Sequence, residues 1–293
     1  MSMGLKLLFV INSHAGPDDV SWQDIISNYF TGKQHDITYF MLGKNIDAAE
    51  LKKQISQSKP DKVIAVGGDG TVMLVAKLIT GSRAALGILP AGSANGMAKE
   101  LNIPEIPEKA LSIIETGTIS CCDAIKINDN EISLHLSDIG LNAQLIKYFS
   151  EGNIRGKLGY VKVMFKTLWH AQKVSVFIQS GNTNIKTKAF MVIIANASKY
   201  GTGAIVNPEG KLDDGKFEIV IVRKLSLIEI IKTFFKPGSL DPQKIEVIQV
   251  SSVKIQTRRM IHFQVDGEYI GKIKELNASI IPGYINIIRG KMI

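Results

Sequence analysis

Apolar positions along this chain follow two different rhythms. Up to about residue 120, short solid runs alternate with stretches in which apolar residues recur at helical spacing. The runs are LKLLFVIN (Leu5 to Asn12), VIAVG (Val63 to Gly67) and LGILP (Leu86 to Pro90). A run with no polar face suits a strand covered on both sides, and its alternation with helices is the pattern of βαβ units with a mostly parallel sheet. Helices are expected around Trp22 to Phe30, Ala48 to Gln57, Val72 to Ile79, Met97 to Leu101 and Glu108 to Glu115. Past residue 121 the candidates become short strands at 123–127, 131–139, 174–180, 185–195, 216–222, 245–248, 251–257, 260–265 and 278–288. Turn signals such as NDN, SGN, DDG and PG separate them. This half reads as an antiparallel sandwich or barrel, with a basic helix after residue 146 and another around Leu227 to Phe235 as insertions. Two domains are expected, 1–122 and 123–293, joined tightly with the crevice between them.

The most informative local feature is VIAVGGDGT, residues 63–71, where an apolar strand runs into Gly67, Gly68, Asp69, Gly70 and Thr71 before a helical pattern. Glycines permit positive φ and close backbone approach, and the amides opening a helix point partial positive charge at an anion. A carboxylate beside phosphate is repulsive unless a metal ion lies between them or it serves as a base, so Asp69 points to phosphoryl transfer. Taken alone the segment is equally a tight Gly-Asp-Gly turn. A second loop of the same design, LGILPAGSANGMAKEL (residues 86–101), again leads from strand to helix and offers the Ser93 hydroxyl and the Asn95 amide. Two such loops meet where open α/β sheets bind ligands, outside the carboxyl ends of the strands.

Composition narrows the partners. The net charge of +8 favours nucleotides, anionic lipid surfaces or nucleic acid. Nucleic acid is set aside, because no helix-turn-helix, zinc finger or aromatic RNA-binding strand accompanies the charge. The densest cationic stretch, residues 146–173, carries Lys147, Arg155, Lys157, Lys162, Lys166 and Lys173 against Glu151. From Leu158 onward its apolar and basic residues separate onto two helical faces, which fits either a helix packed on a sheet or peripheral contact with an anionic membrane. No cationic leader or run of membrane-spanning length is seen, so a cytoplasmic protein is expected, at most peripheral at the inner membrane surface. Cys121 and Cys122 are adjacent and poorly placed for a structural disulfide. Exposed strand edges in the β-rich half are compatible with a homodimer.

Two acidic clusters follow. EGKLDDGKFEIVIV (residues 209–222) places Asp213 and Asp214 in a turn before a strand, and VDGEYIG (residues 265–271) places Asp266 and Glu268 in another. As isolated motifs both are Asp-Gly turns; the upstream phosphate loops give them weight, because those loops need metal-binding and basic carboxylates. Gly210 to Lys216 fits GxxxxGK, but Phe217 stands where a Walker A loop needs Ser or Thr, and that reading is rejected.

Together, NSHAG (Asn12 to Gly16), GGDGT (67–71), LPAGSANGMAKEL, LDDGKF and VDGE resemble, in order, the diacylglycerol kinase catalytic domain family, which includes sphingosine kinases and bacterial lipid kinases. NAD kinases are more distant relatives that share GGDGT. The resemblance implies an α/β nucleotide-binding domain like that of NAD kinases and phosphofructokinases, a β-sandwich second domain, and MgATP-dependent phosphorylation of a lipid hydroxyl. It assigns Asn12, Gly67, Gly68, Gly70, Thr71, Gly92, Ser93 and Asn95 to the nucleotide and Asp69 to its metal and phosphates. Glu268 resembles the general base, and Asp123 an acidic residue of the interdomain network. Asp214 with the backbone carbonyls of Lys211 and Lys216 resembles a Mg²⁺ site, and Arg155 or Lys157 would supply charge to the transferred phosphate. One departure stands out: Gly96 occupies the position where the family usually has an aspartate. Its absence is expected to weaken metal or phosphate organisation without abolishing nucleotide binding. A soluble kinase of NAD or another small hydroxyl substrate, and a non-catalytic relative, are the competing readings.

Overall fold

The computed structural model describes residues 4–13, 15, 21–43, 48–151, 172–199, 205–224 and 241–290, with no side-chain description for 149–151. The expected helices from Leu158 and around Leu227 to Phe235, together with Arg155 and Lys157, lie outside the described residues. The chain divides into two compact units, Met1–Cys122 with Gly283–Ile293, and Asp123–Pro282. The final segment therefore groups with the first unit, whereas the sequence placed it in the second domain.

Unit 1 is built from β1 (Lys6–Asn12), α1 (Trp22–Phe30), β2 (Asp36–Leu42), α2 (Ala48–Ser58), β3 (Lys62–Gly67), α3 (Asp69–Ile79), β4 (Ala85–Pro90), α4 (Gly96–Glu100) and α5 (Pro107–Thr116). Parallel pairing orders the strands β4-β3-β1-β2. Every residue of β3 and β4 is buried, as unbroken apolar runs demand. The helices lay one stripe on this sheet: Trp22, Ile26 and Phe30 from α1, Leu51 and Ile55 from α2, Val72, Val75, Ala76 and Ile79 from α3, and Ala110, Leu111 and Ile114 from α5. Ser21 caps α1 by accepting the Asp24 amide, and Pro107 opens α5 where its missing N–H costs nothing. Lys62 is buried, yet its ammonium donates to the Ile114 and Glu115 carbonyls at the end of α5 at 2.6 and 3.1 Å. Burial lowers its pKa, against the opposing pull of the Glu115 and Asp61 carboxylates.

The segment β5 (Thr118–Ile127) leads into unit 2, which holds β6 (Glu131–Ser133), β7 (Leu136–Gly140), α6 (Leu141–Glu151), β8 (Val174–Ser180), β9 (Thr183–Ala189), β10 (Met191–Ala195), β11 (Phe217–Val222), β12 (Ile245–Val250), β13 (Ser252–Val265) and most of β14 (Glu268–Arg289). The pairing is antiparallel in the order β12-β11-β10-β7-β13-β14, with the β8–β9 hairpin attached to β13. Alternate residues enclose one core, including Ile139, Val192, Ile194, Phe217 and Ile219 from one set of strands and Val176, Ile178, Val253, Ile255 and Leu276 from the other. The last residues of β14 return to unit 1, where Asn286 and Ile287 pair in parallel with Ala85 and Leu86 of β4.

Several boundaries differ from the sequence pattern for identifiable reasons. The expected strand 131–139 is interrupted because the amides of Leu134, His135 and Leu136 all turn onto the Asp266 carboxylate. The expected strand 185–195 breaks at Phe190, whose N–H donates to Val222 while its carbonyl accepts from Leu141, so β9 and β10 join different neighbours. Conversely, 251–257 and 260–265 form one strand, β13, because a register shift against β14 between Gln256 and Ile261 absorbs the irregularity. Both cysteines are free thiols on β5, Cys121 exposed and Cys122 buried. Among the described residues no helix is long and apolar enough to cross a membrane.

Candidate active site

The two glycine loops close onto each other. Strand β3 ends at Gly67, and Gly68 caps α3 with extended backbone, φ −91° and ψ −170°. None of Gly67, Gly68, Gly70 and Gly92 adopts positive φ, so of the two expected reasons for glycine it is close approach that holds at Gly67, Gly68 and Gly92. A Cβ on Gly67 would sit 2.4 Å from the Thr71 hydroxyl, and one on Gly92 would sit 2.4 Å from the Gly68 Cα. Gly92 thus lies directly on Gly68, and the Ala91 amide donates to the Gly67 carbonyl at 3.0 Å. Thr71 is buried, and its hydroxyl accepts a long bond, 3.4 Å, from the Asn12 side-chain amide.

Asp69 is the clamp of this arrangement. Its two carboxylate oxygens accept the Gly96 and Met97 amides at 2.9 and 3.0 Å, which caps α4 from the first turn of α3. Sequence reasoning reserved Asp69 for phosphate and metal; the structure adds this role of joining the loops. Asn95 was expected to offer its amide to a ligand, but it is buried in the left-handed conformation, φ 52°, and turns both ends of that amide onto Gly92. Its Oδ1 accepts the Gly92 amide and its Nδ2 donates to the Gly92 carbonyl, each at 2.8 Å. What remains for a ligand is the exposed Ser93, the exposed backbone of Gly70, and the first-turn amides of Asp69 and Gly70, which have no intrahelical acceptor. Such a surface can hold an anion.

In unit 2, Asp123 is buried and holds the loop 211–216 from behind: its Oδ2 accepts the Gly215 amide at 2.7 Å, and its own amide donates to the Leu212 carbonyl at 2.6 Å. Gly215 sits at φ 70°. Asp214 is exposed, accepting the Lys216 amide at 3.0 Å and Gln249 Nε2 at 3.4 Å. Gln249 also donates to Glu218, a buried carboxylate that accepts from Asn207 on its other oxygen. This backing network escaped sequence reasoning; the only available sign was a glutamate inside the otherwise apolar FEIVIV. Among the described residues no three His, Cys, Asp or Glu side chains converge on one point. A cation at loop 211–216 would find no more than two carboxylates, those of the exposed Asp213 and Asp214, with backbone carbonyls beside them, a hard-oxygen set that suits a Mg²⁺ ion keeping several waters.

Glu268 opens β14 immediately after a two-residue hairpin turn. Asp266 and Gly267 both have positive φ, 46° and 90°, and Val265 pairs with Glu268 across them, the backbone twist that Asp-Gly sequences favour. Asp266 fastens the turn by accepting from the Ser133 hydroxyl at 2.6 Å and from the Leu134, His135 and Leu136 amides at 2.8 to 3.1 Å. Burial pushes the Asp266 carboxyl above the ordinary aspartate range, against the pull of Ser133 and these amides. Next to Glu268, the Tyr269 hydroxyl bonds His262 Nδ1 at 2.9 Å. Glu268 itself is exposed, and its carboxylate has no hydrogen bond or ion pair among the described residues. The turn is fixed on both sides while the carboxylate stays available.

Comparison with known proteins agrees with this construction. Residues 6–127 match the model of the diacylglycerol kinase catalytic domain, and residues 138–289 match the YegS C-terminal NAD kinase beta sandwich-like domain. A Chromohalobacter salexigens protein named probable lipid kinase YegS-like is 27% identical over 81% of this chain and 78% of its own. A Staphylococcus epidermidis protein named diacylglycerol kinase is 28% identical over 78% of this chain and 74% of its own. Among solved structures, a putative diacylglycerol kinase from Bacillus anthracis shares the fold at TM-score 0.80 and 22% identity, covering 99% of each chain. An NAD kinase from Archaeoglobus fulgidus, solved in complex with ATP, shares it more distantly at TM-score 0.54 and 12% identity, covering 97% of this chain and 94% of its own. The chain belongs to the kinase family that joins a diacylglycerol kinase catalytic domain to a YegS-type beta sandwich-like domain.

Proposed function

We propose that this protein transfers the γ-phosphate of MgATP to the hydroxyl of a diacylglycerol-like or sphingoid-like lipid. The observation that carries the reading is the pair of glycine loops locked by Asp69 at the ends of β3 and β4, in a chain whose curated relatives are named lipid and diacylglycerol kinases. Asn12, Gly67, Gly68, Gly70, Thr71, Gly92 and Ser93 cradle the nucleotide, with the amides opening α3 toward its phosphates. Asn95 keeps the second loop in shape, and the remaining lone pairs of Asp69 orient the phosphate-bound cation. Asp214 and the Lys211 and Lys216 carbonyls would hold Mg²⁺, on a loop that Asp123 braces. Bound there, the ion would supply electrostatic order to the acidic groups around it. Glu268 accepts the proton of the lipid hydroxyl as its oxygen bonds to the γ-phosphorus and the bond to the ADP oxygen breaks. The transition state is loose, so Glu268 acts mainly by orienting the nucleophile. Arg155 or Lys157 contributes positive charge to the transferred phosphate. The protein works as a peripheral enzyme at the cytoplasmic side of the membrane.

A soluble acceptor such as NAD is the second reading, favoured by the shared fold with the archaeal NAD kinase. The test is to incubate the protein with labelled MgATP and either a total lipid extract or NAD, and to follow where the label goes. Label extracted into organic solvent supports the lipid kinase. Label confined to water and dependent on NAD replaces it with the second reading.

A further inference from the structure

Register sorts the residues of β8, β9 and β13 onto two faces. Val176, Ile178, Ala189, Val253 and Ile255 enter the core, so the residues between them point outward. On that outer face Phe177 stands opposite Lys186 and Gln256, Ser175 opposite Lys188, and Gln179 opposite Lys254. Arg258 continues the face past the buried Thr257. The adjoining acid, Glu275, is already bonded to Lys254 at 2.7 Å and to Gln256 at 2.8 Å. Lys186, Lys188 and Arg258 are exposed and make no ion pair among the described residues. Together with Ser175, Phe177 and Gln256 they line a shallow groove of about 520 Å³. Two apolar groups accompany the cations. Phe177 is half-buried, with the Lys186 ammonium 5.4 Å from its ring centroid. Met260 is 55% exposed and directly follows Arg258 and Arg259, where β13 shifts register.

We infer that this outer face of β9, β8 and β13 docks on a bilayer containing anionic phospholipid. Unpaired cations of one sign on a rigid sheet add their potentials, and each attracts an anionic surface by about 1 kcal/mol, roughly fivefold in partitioning. Among the described residues the face has no protruding element to enter a nucleic-acid groove, whereas the exposed Met260 and the half-buried Phe177 beside arginines and lysines suit the boundary between head groups and acyl chains. The inference rests on charge and exposure and is independent of the kinase reading, since vesicle binding is measured without nucleotide.

The experiment is flotation of the full chain with phosphatidylcholine vesicles, with and without phosphatidylglycerol, at rising salt. Binding is expected only with phosphatidylglycerol and is expected to fall as salt shortens the Debye length. The combined variant Lys186→Gln, Lys188→Gln, Arg258→Gln should partition roughly a hundredfold more weakly. A control losing the same charge from exposed positions of α2 and α5 in unit 1, Lys52→Gln, Lys53→Gln, Lys109→Gln, should retain most of the binding, with circular dichroism checking both folds. Equal loss in the two variants, equal binding to neutral vesicles, or capture by duplex DNA without vesicle binding would each overturn the inference.

Discussion

Replacing Gly92 by alanine tests whether the two glycine loops work as one unit. The new Cβ would meet the Gly68 Cα at 2.4 Å, whereas ordinary contact begins near 3.4 Å, so the loops must part by about 1 Å. The neighbour is backbone, and no side chain can swing aside. Parting the loops by that much stretches the Asp69 bonds to Gly96 and Met97 from 2.9 and 3.0 Å beyond hydrogen-bonding range. Two charge-assisted bonds of about 1.5–3 kcal/mol each are then weakened, and water recovers part of the loss because Asp69 is only half-buried. Alanine returns about 0.4–1 kcal/mol by restricting the unfolded chain. The expected net destabilisation is about 2–3 kcal/mol, together with loss of tight nucleotide binding. Urea unfolding gives the first quantity, and hydrogen exchange of the Gly96 and Met97 amides locates it. Gly43→Ala is the control, since a Cβ there meets nothing within 4 Å. Stability within about 0.5 kcal/mol of the parent, with unchanged exchange at Gly96 and Met97, would refute the clamp.

Further outcomes follow from the same contacts. Asp266→Asn keeps the left-handed turn but turns an amide toward backbone N–H groups, so it should cost about 2–4 kcal/mol and lower kcat through a misplaced Glu268; urea unfolding and steady-state kinetics check both. Burial raises the pKa of Glu115, but the bonds from Lys33, Tyr29 and His35 outweigh it and hold the carboxyl below its usual 4.5. That carboxylate therefore contributes stability present above about pH 4.5 and lost as pH falls through its depressed value. Glu115→Gln should lower stability by about 1 kcal/mol at neutral pH and by progressively less in acid, read from unfolding midpoints at pH 7 and pH 3. Gly96→Asp should lower the Mg²⁺ concentration needed for half-maximal rate, and an unchanged Mg²⁺ curve would remove the missing aspartate from the account.

Much of the fold was legible because the decisive elements are unbroken apolar runs. Strands β1, β3 and β4 and the helices after their loops stand where the pattern put them, and Asp266–Gly267 forms the turn its sequence favours. Strand β2 was not legible, since DITYFML is a sheet edge with mixed exposure and shows neither a solid run nor a clean alternation. Helix α6 follows β7 without an intervening loop; Gly140, at φ 113°, marks where the extended backbone ends, but no capping residue announces the helix that starts at Leu141. The site was harder, because backbone amides carry no residue signature. Asp69 and Asp266 look like ligand carboxylates in sequence, and both are satisfied by main-chain N–H groups that only folding brings near. Glycines 68 and 92 announced close approach correctly but not the partner, which is the other loop.

These contacts also decide which variant is informative about chemistry. Asp69→Ala would disturb the loops whether or not Asp69 meets phosphate, whereas Glu268 touches nothing that holds the fold. The most direct measurement is therefore transfer of label from MgATP to extractable lipid by the parent protein and by Glu268→Gln. Organic-phase product from the parent, with a rate at least a hundredfold lower in a variant of unchanged stability, is expected if Glu268 is the base. A variant as active as the parent, or no lipid product from either protein, would contradict the account.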